Sequence, residues 1–279
     1  DPATLAAWLA DKDRQLDVHQ AAQLAEELGV ELPEIEVDDF RRAGYLPEVM
    51  VNYLALLGWS PGEDVEKFGR AFLVERFGLD RVVKSPAKFD RDKLLAFNLD
   101  AIQGMSEDDW VAAMRAHAAY ARPEFLAALG DEAFELFARA NKGRSKTLDE
   151  RFRTDRFFIM ADDELEYPDT KPVRKALCKG EPCGFDHLQG VAHVLAGLEA
   201  WTLESIESAL DAYAAAHADG RMGNVAQPLR VAVTGGTVSP GIHETLVILG
   251  RERVLARIER CLASRDALAG AAAGREGSS

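Results

Sequence analysis

The sequence predicts an all-α protein built from irregular bundles of short helices. Apolar residues recur at spacings of three and four over most of the chain, as in Val49, Tyr53 and Leu57. Strict alternation of apolar and polar residues is scarce, and the best strand candidate, 228–233, fits a helix equally well. Residues typical of helix starts and stops are frequent and closely spaced, which favours many helices of moderate length.

The first hundred residues predict a series of short helices. Two of them lie within 1–37, where Gly29 is the expected stop of the second. Another begins at Asp38 or Asp39 and stops at Gly44. The next starts near Pro47, and two or three more follow within 65–104.

The later part of the chain predicts longer helices. Ser106 is a good N-cap for the first of them. Thr147, with Glu150 three residues on, predicts a helix over 147–160. The remaining helices are expected over 124–140, 187–200, 203–218 and 242–262. The Ala-, Gly- and Ser-rich segment 264–279 predicts a disordered tail.

Composition excludes several classes of protein. The 279 residues allow one large domain or two to three small ones, and 47% of them are hydrophobic, as in a globular protein. No apolar run is long enough to span a membrane. The start at Asp1-Pro2 shows no secretory leader and suggests a fragment or a processed chain. Three cysteines form no disulfide framework, so we expect a reducing cytoplasm.

The charge is acidic overall but unevenly placed. The formal net charge of -14 argues against a general nucleic-acid binder, whose surface is basic. Three segments nevertheless carry an excess of Lys and Arg: 81–93, 139–156 and 221–262. Such segregation suits a protein that meets a polyanion at chosen places. From charge alone, however, solvated helix faces are the favoured interpretation.

Common catalytic and metal-binding patterns are weak or missing. No Gly-x-Gly-x-x-Gly motif, Walker loop or Gly-x-Ser-x-Gly elbow occurs. Cys178, Cys183, His187 and His193 supply zinc-type ligands, but the gap between Cys183 and His187 is too short for a zinc finger. Free thiols and ordinary helix histidines are therefore favoured, and no metal site is predicted.

Long motifs in a fixed order carry a family resemblance. They are 40–48 (FRRAGYLPE), 52–62 (NYLALLGWSPG), 84–90 (KSPAKFD), 227–241 (QPLRVAVTGGTVSPG) and 249–258 (LGRERVLARI). Together they make 38–262 resemble the C-terminal half of a bacterial-type glutamyl-tRNA synthetase. The ATP-binding HIGH-like and KMSKS-like signatures of that family do not occur in this sequence.

The resemblance implies an organisation for the chain. Residues 38–104 would form the stem-contact helical domain, and 105–172 and 173–263 the two helical-cage anticodon-binding subdomains. Residues 1–37 look like a lineage-specific helical insertion. No nucleotide-binding domain is expected in this chain.

The resemblance also implies roles for individual residues. Those expected to face the second and third anticodon bases are Arg230, Ser239, Pro240, Gly241 and Ile242. An arginine should face the first base, and Arg151, Arg153 and Arg156 are candidates among which spacing does not choose. Lys84 and Lys93 are expected at backbone phosphates. Many relatives carry a basic residue where Gly236 stands, so the resemblance implies one backbone contact fewer at this position.

The function implied is tRNA recognition within a class I ligase that joins glutamate to tRNA-Glu. The parent enzyme would use ATP and Mg²⁺, whereas no cofactor is expected in this part, and neither DNA nor a membrane as partner. We expect a cytoplasmic monomer; acceptance of tRNA-Gln stays open. Two alternatives are a stand-alone RNA-binding protein derived from a synthetase and a helical protein-interaction module without an RNA role.

Overall fold

The fold is all-α, as predicted. The structure is a computed structural model that describes residues 8, 10–11, 16–28, 32, 34–62, 65–83 and 88–268. Over these residues the only strand-like pairing is a single bridge between Trp59 and Val82. None of the described helices is both long and apolar enough to cross a bilayer. Contacts divide the chain into two units, Asp1–Ala43 and Gly44–Ser279.

The first unit contains helices α1 (Val18–Leu28) and α2 (Val37–Arg42). Glu36, not Asp38 or Asp39, is the N-cap of α2, and the Asp39 carboxylate accepts hydrogen bonds from the backbone N–H groups of Ile35 and Glu36. Gly29 and most of the helix expected near residue 5 lie outside the described residues.

The second unit begins with α3 (Pro47–Leu56), α4 (Arg70–Arg76) and α5 (Arg91–Gly104), and α3 packs against the other two. Buried Asn98 on α5 accepts from the Leu46 N–H at 2.8 Å and donates to the Lys146 carbonyl at 2.7 Å. This amide joins α5 to the segment that follows residue 144.

An aromatic core fills the middle of the chain, between α6 (Glu107–Ala121) and α7 (Pro123–Asn141). Phe125, Phe134, Phe137 and Phe152 pack with ring centroids 4.9–6.2 Å apart. Phe152 lies on α8 (Glu150–Thr154), which short 3₁₀ turns precede at 142–144 and follow at 156–158.

The prediction of one helix over 147–160 is therefore wrong. Thr147 does not cap it: its hydroxyl is buried without a hydrogen-bond partner, and α8 begins only at Glu150. The Glu150 carboxylate instead accepts from the Lys146 N–H at 2.6 Å.

Several helices follow in the described residues of this unit. They are α9 (Lys171–Cys178), α10 (Gly184–Ala196), α11 (Leu203–His217), α12 (Met222–Thr234), α13 (Ile242–Leu249) and α14 (Arg251–Ala263). Helix α10 packs on α12 and α14, while α13 packs on α7. The core of this region thus brings the end of α12 and the start of α13 close to the middle of the chain.

Three expectations change here. The single helix expected over 242–262 is two helices, because Gly250 adopts φ 80° and ψ 157° between them. The loop that Pro168 and Pro172 are expected to bracket ends earlier, because α9 begins at Lys171 and includes Pro172 in its first turn. Residues 265–268 are helical and Leu268 is buried, although the composition of 264–279 predicts a disordered tail; 269–279 lie outside the described residues. The subdomain limits at 104 and 172 stay predictions.

Candidate nucleic-acid interface

The candidate recognition loop, Thr234–Gly241, joins α12 to α13. Gly235 ends α12 with φ 76°, and a Cβ at this position would lie 2.6 Å from the Glu166 carbonyl oxygen. Only glycine fits both the left-handed backbone and this close approach. The Thr234 hydroxyl donates to the Arg230 carbonyl at 2.8 Å and accepts from the Gly236 N–H at 3.2 Å. The loop therefore leaves the helix in one defined direction.

Arg230 is held against this loop by Ser239. Its Nε–H donates to the Ser239 hydroxyl at 2.8 Å, and that hydroxyl donates to the Pro240 carbonyl at 2.8 Å. No described residue pairs with its two terminal amino groups. Burial first, and then the charge of Arg144, lower the pKa of Arg230. Because a guanidinium stays protonated, the site holds an oriented positive charge without a counter-ion.

The other members of the predicted set contribute backbone. Pro240 and Ile242 are buried, so the Ile242 side chain belongs to the core. Gly241 is exposed and is the N-cap of α13, whose first-turn N–H groups attract acceptors. A Cβ on Gly241 would lie 2.0 Å from a Glu244 carboxylate oxygen. The Glu244 carboxylate thus borders the same helix end and limits which anions can approach it.

The three arginines proposed for the first base lie in different environments. Arg151 is largely buried, donating to the Arg144 carbonyl and, at 2.6 Å, to Glu150. Arg153 is exposed and lies 3.3 Å from the Asp149 carboxylate. Arg156 is exposed, and its guanidinium has no partner among the described residues. The geometry therefore favours Arg156 for an external contact.

A buried carboxylate positions the segment that leads to these arginines. Asp149 is 1% exposed; it accepts two hydrogen bonds from Arg122, at 2.7 and 2.8 Å, and lies 3.2 Å from His117 Nε2. Burial by itself raises its pKa, but the bonds from Arg122 and His117 prevail and lower the pKa of Asp149 to about 2. The neighbouring Leu148 N–H donates to the Gly44 carbonyl at 2.9 Å.

Arg144 is a candidate that the sequence did not single out. It is half-buried, bonds the Asn141 side chain at 3.0 Å, and lies 3.9 Å from buried Asp155. Burial lowers the pKa of Arg144 and raises that of Asp155. Its charge is close enough to Arg230 to disfavour protonation there. Only the fold brings these two arginines together, since they are far apart in sequence.

Many other cations of the basic segments are used inside the protein. Buried Arg257 donates to Asp162 at 2.6 Å and to the Val233 carbonyl at 2.6 Å. Arg253 bonds the Phe158 and Met160 carbonyls, each at 2.6 Å. Arg139 pairs with three carboxylates. The number of Lys and Arg residues in these segments is therefore larger than the number of cations available to a polyanion.

The structure does not show an unpaired charge at either lysine expected to contact backbone phosphates. Lys93 pairs with Glu66 at 2.6 Å and lies over the Phe97 ring. Lys84 lies outside the described residues. Within the described part of the chain, no group of three or more His, Cys, Asp or Glu residues could hold a metal ion.

Comparison with protein families gives two matches. A family model described as "Anticodon binding domain" matches residues 108–262. A second, described as the catalytic domain of class I tRNA synthetases (E and Q), matches residues 32–96.

Curated relatives are glutamate–tRNA ligases. "Glutamate--tRNA ligase 1" of Acidithiobacillus ferrooxidans is 37% identical over 238 residues, which cover 82% of this chain and 47% of the relative. "Glutamate--tRNA ligase" of Syntrophobacter fumaroxidans is 37% identical over 236 residues, covering 83% and 47%. The chain thus spans about half the length of the curated relatives it matches.

Solved structures share the fold. A glutamate tRNA ligase from Elizabethkingia meningosepticum superposes with a TM-score of 0.66 at 22% identity, covering 92% of this chain and 56% of that one. A glutamate-tRNA synthetase from Elizabethkingia anophelis gives 0.64, also at 22% identity, covering 92% and 55%.

Proposed function

Because this chain belongs to the anticodon-binding domain family, we propose that it is the tRNA-recognition part of a glutamate–tRNA ligase that acts on tRNA-Glu. The observation that carries the proposal is Arg230, whose guanidinium is fixed by Ser239 beside the recognition loop and has no counter-ion. Unpaired bases offer acceptors on their Watson–Crick edges, which suit this planar donor. The first turn of α13, which follows exposed Gly241, supplies a second set of N–H donors beside it.

In this proposal the chain does not carry the chemistry of aminoacylation. ATP and Mg²⁺ would be held by a catalytic domain whose nucleotide-binding signatures this sequence lacks. Ser239 and the backbone of Pro240, Gly241 and Ile242 would accompany Arg230 at the second and third anticodon bases, with Arg156 favoured at the first. The complete enzyme would work in the cytoplasm as a monomer.

The test is binding of the chain to tRNA-Glu and to a version with a changed anticodon, at fixed salt. We expect the changed anticodon to bind more weakly. Replacing Arg230 by Ala should weaken binding of tRNA-Glu by about 1–3 kcal/mol and reduce the preference. Arg230→Lys is the matched control, because it keeps the positive charge but loses the planar set of guanidinium donors. It should still attract tRNA, but its preference for the cognate anticodon should fall.

Two results would contradict the proposal. Equal binding of both tRNAs by the unchanged chain would leave phosphate attraction alone. Absence of salt-dependent tRNA binding would favour a protein-interaction module instead.

A further inference from the structure

A second cationic feature lies next to the recognition loop. A cleft of about 670 Å³ opens between the end of α9 and the start of α12. Lys175 and Lys179 line one side, Arg221 and Gly223 line the other, and Thr237 of the recognition loop borders it. The cleft therefore adjoins the recognition loop, whose residues are proposed to read the anticodon.

The cations at this cleft are not used inside the protein. Lys175, Lys179 and Arg221 are exposed, and none has a hydrogen bond or ion pair from its side chain to a described residue. Glu181 and Asp219 also line the cleft, so the rim keeps a small positive excess within an acidic chain. The first turn of the 13-residue helix α12 adds the positive end of its dipole.

A buried polar group also points to a ligand at this cleft. His187 lines it and is 3% exposed, and its Nδ1 atom is buried without a hydrogen-bond partner. Buried polar groups are normally bonded, so an unbonded nitrogen in a residue that lines the cleft marks this wall as polar and unsatisfied. The volume exceeds that of a phosphate and admits a nucleotide with its sugar.

We propose that this cleft binds the sugar-phosphate backbone of the tRNA strand that continues from the anticodon bases read at Arg230. This assignment rests on the proposed function and extends it to Lys175, Lys179 and Arg221. The cleft contributes affinity but not base preference, because phosphates carry no sequence information.

The test compares Lys175→Gln with Lys171→Gln in the full chain. Both lysines lie on α9, one turn apart, and both are exposed and unpaired, but Lys171 does not line the cleft. Binding of tRNA-Glu and of a changed-anticodon tRNA is followed by fluorescence anisotropy over about 50–200 mM salt. For Lys175→Gln we expect a slope of log K against log salt that is shallower by about 0.7, and for Lys171→Gln no change.

The Lys175→Gln/Lys179→Gln double variant tests whether the effects of the two lysines on the salt dependence add. It should flatten the slope by about 1.4, so that the loss of affinity over this salt range is about sevenfold smaller, with the anticodon preference intact. Equal slopes for Lys175→Gln and Lys171→Gln, or a lost anticodon preference, would overturn the cleft assignment alone. Failure of the unchanged chain to prefer the cognate anticodon would overturn the proposed function instead, and failure to bind tRNA would overturn both.

Discussion

At the residue scale, burial separates Arg151 from Arg156 although both lie in one basic segment. Arg151 donates to Arg144 and Glu150 within the fold, whereas the exposed guanidinium of Arg156 has no described partner. We expect Arg156→Ala to reduce discrimination at the first anticodon position without changing stability. Arg151→Ala should instead lower the urea midpoint, because it removes the partner of two partly buried acceptors.

The two variants form a matched pair, measured by binding to tRNAs changed only at the first anticodon position. Lost discrimination in a stable Arg151→Ala protein, with none in Arg156→Ala, would reverse the assignment.

Asp149 makes stability depend on pH. Its folded-state pKa of about 2 lies below the ordinary value of 3.8, so its stabilising contribution is fully present above about pH 4 and is lost as pH falls through 2. The difference corresponds to about 2 kcal/mol. Urea unfolding between pH 5 and 2 should show this loss in the unchanged protein, and the loss should be about 2 kcal/mol smaller in Asp149→Asn, which also has a lower stability at pH 5.

Asp131→Asn is the control, since this carboxylate pairs with Arg115 but its side chain is 91% exposed. It should keep the pH profile of the unchanged protein. An identical profile in Asp149→Asn would show that another group titrates.

At the element scale, the recognition loop depends on where α12 ends. Gly235→Ala forces a left-handed alanine and brings its Cβ 2.6 Å from the Glu166 carbonyl oxygen. We expect a loss of at least about 1 kcal/mol of stability, and weaker tRNA binding because Arg230 and Ser239 move apart. Thermal unfolding and anisotropy measure the two effects.

Gly236→Ala is the matched control, because an added Cβ there meets nothing within 4 Å and φ is not positive. It should fold and bind like the unchanged chain. Similar losses in both variants would mean that the loop needs flexibility rather than one fixed path.

The sequence predicted that most of these helices exist, but it predicted their first and last residues less well. Local sequence signals were sufficient where an N-cap residue fixes the start of a helix. Ser106 is an example, since its hydroxyl accepts from the Asp109 N–H. They failed at Thr147, because Arg122 and His117 hold Asp149 in place and the helix starts later. They failed again at Gly250, whose positive φ of 80° ends α13 within a continuous apolar pattern. Pro172 suggested a loop, but proline also fits the first turn of α9.

For the proposed anticodon site, too, the sequence indicated residues but not their contacts. The resemblance named Arg230 and Ser239, but only the fold shows that they bond to each other and that Ile242 faces the core. Arg144 was hidden in a charged run, since spacing does not tell an internally bonded cation from a free one.

At the scale of the whole molecule, hydrogen bonds and ion pairs within the protein determine how many Lys and Arg side chains can bind RNA. From residue 105 to 268 the described cations without a carboxylate, amide or carbonyl partner are Lys146, Arg156, Lys171, Lys175, Lys179, Arg221 and Arg230. The other arginines and lysines of this region are bonded within the protein. Basic composition alone would therefore predict a much stronger response to salt than the fold permits.

This pairing sets an upper limit on the salt dependence of binding by this region. With about 0.7 counterions released per neutralised phosphate, seven available cations limit the slope of log K against log salt to about -5. We expect the slope for a tRNA-Glu anticodon stem-loop, measured by anisotropy with the full chain, to lie below that magnitude. Lys142→Gln supplies the control: this lysine donates to the Met105 carbonyl, so its removal should leave the slope unchanged. A slope well beyond -5 would mean that internal ion pairs such as that of Arg139 with Glu107 open on binding, and the Arg139→Gln slope would then be shallower.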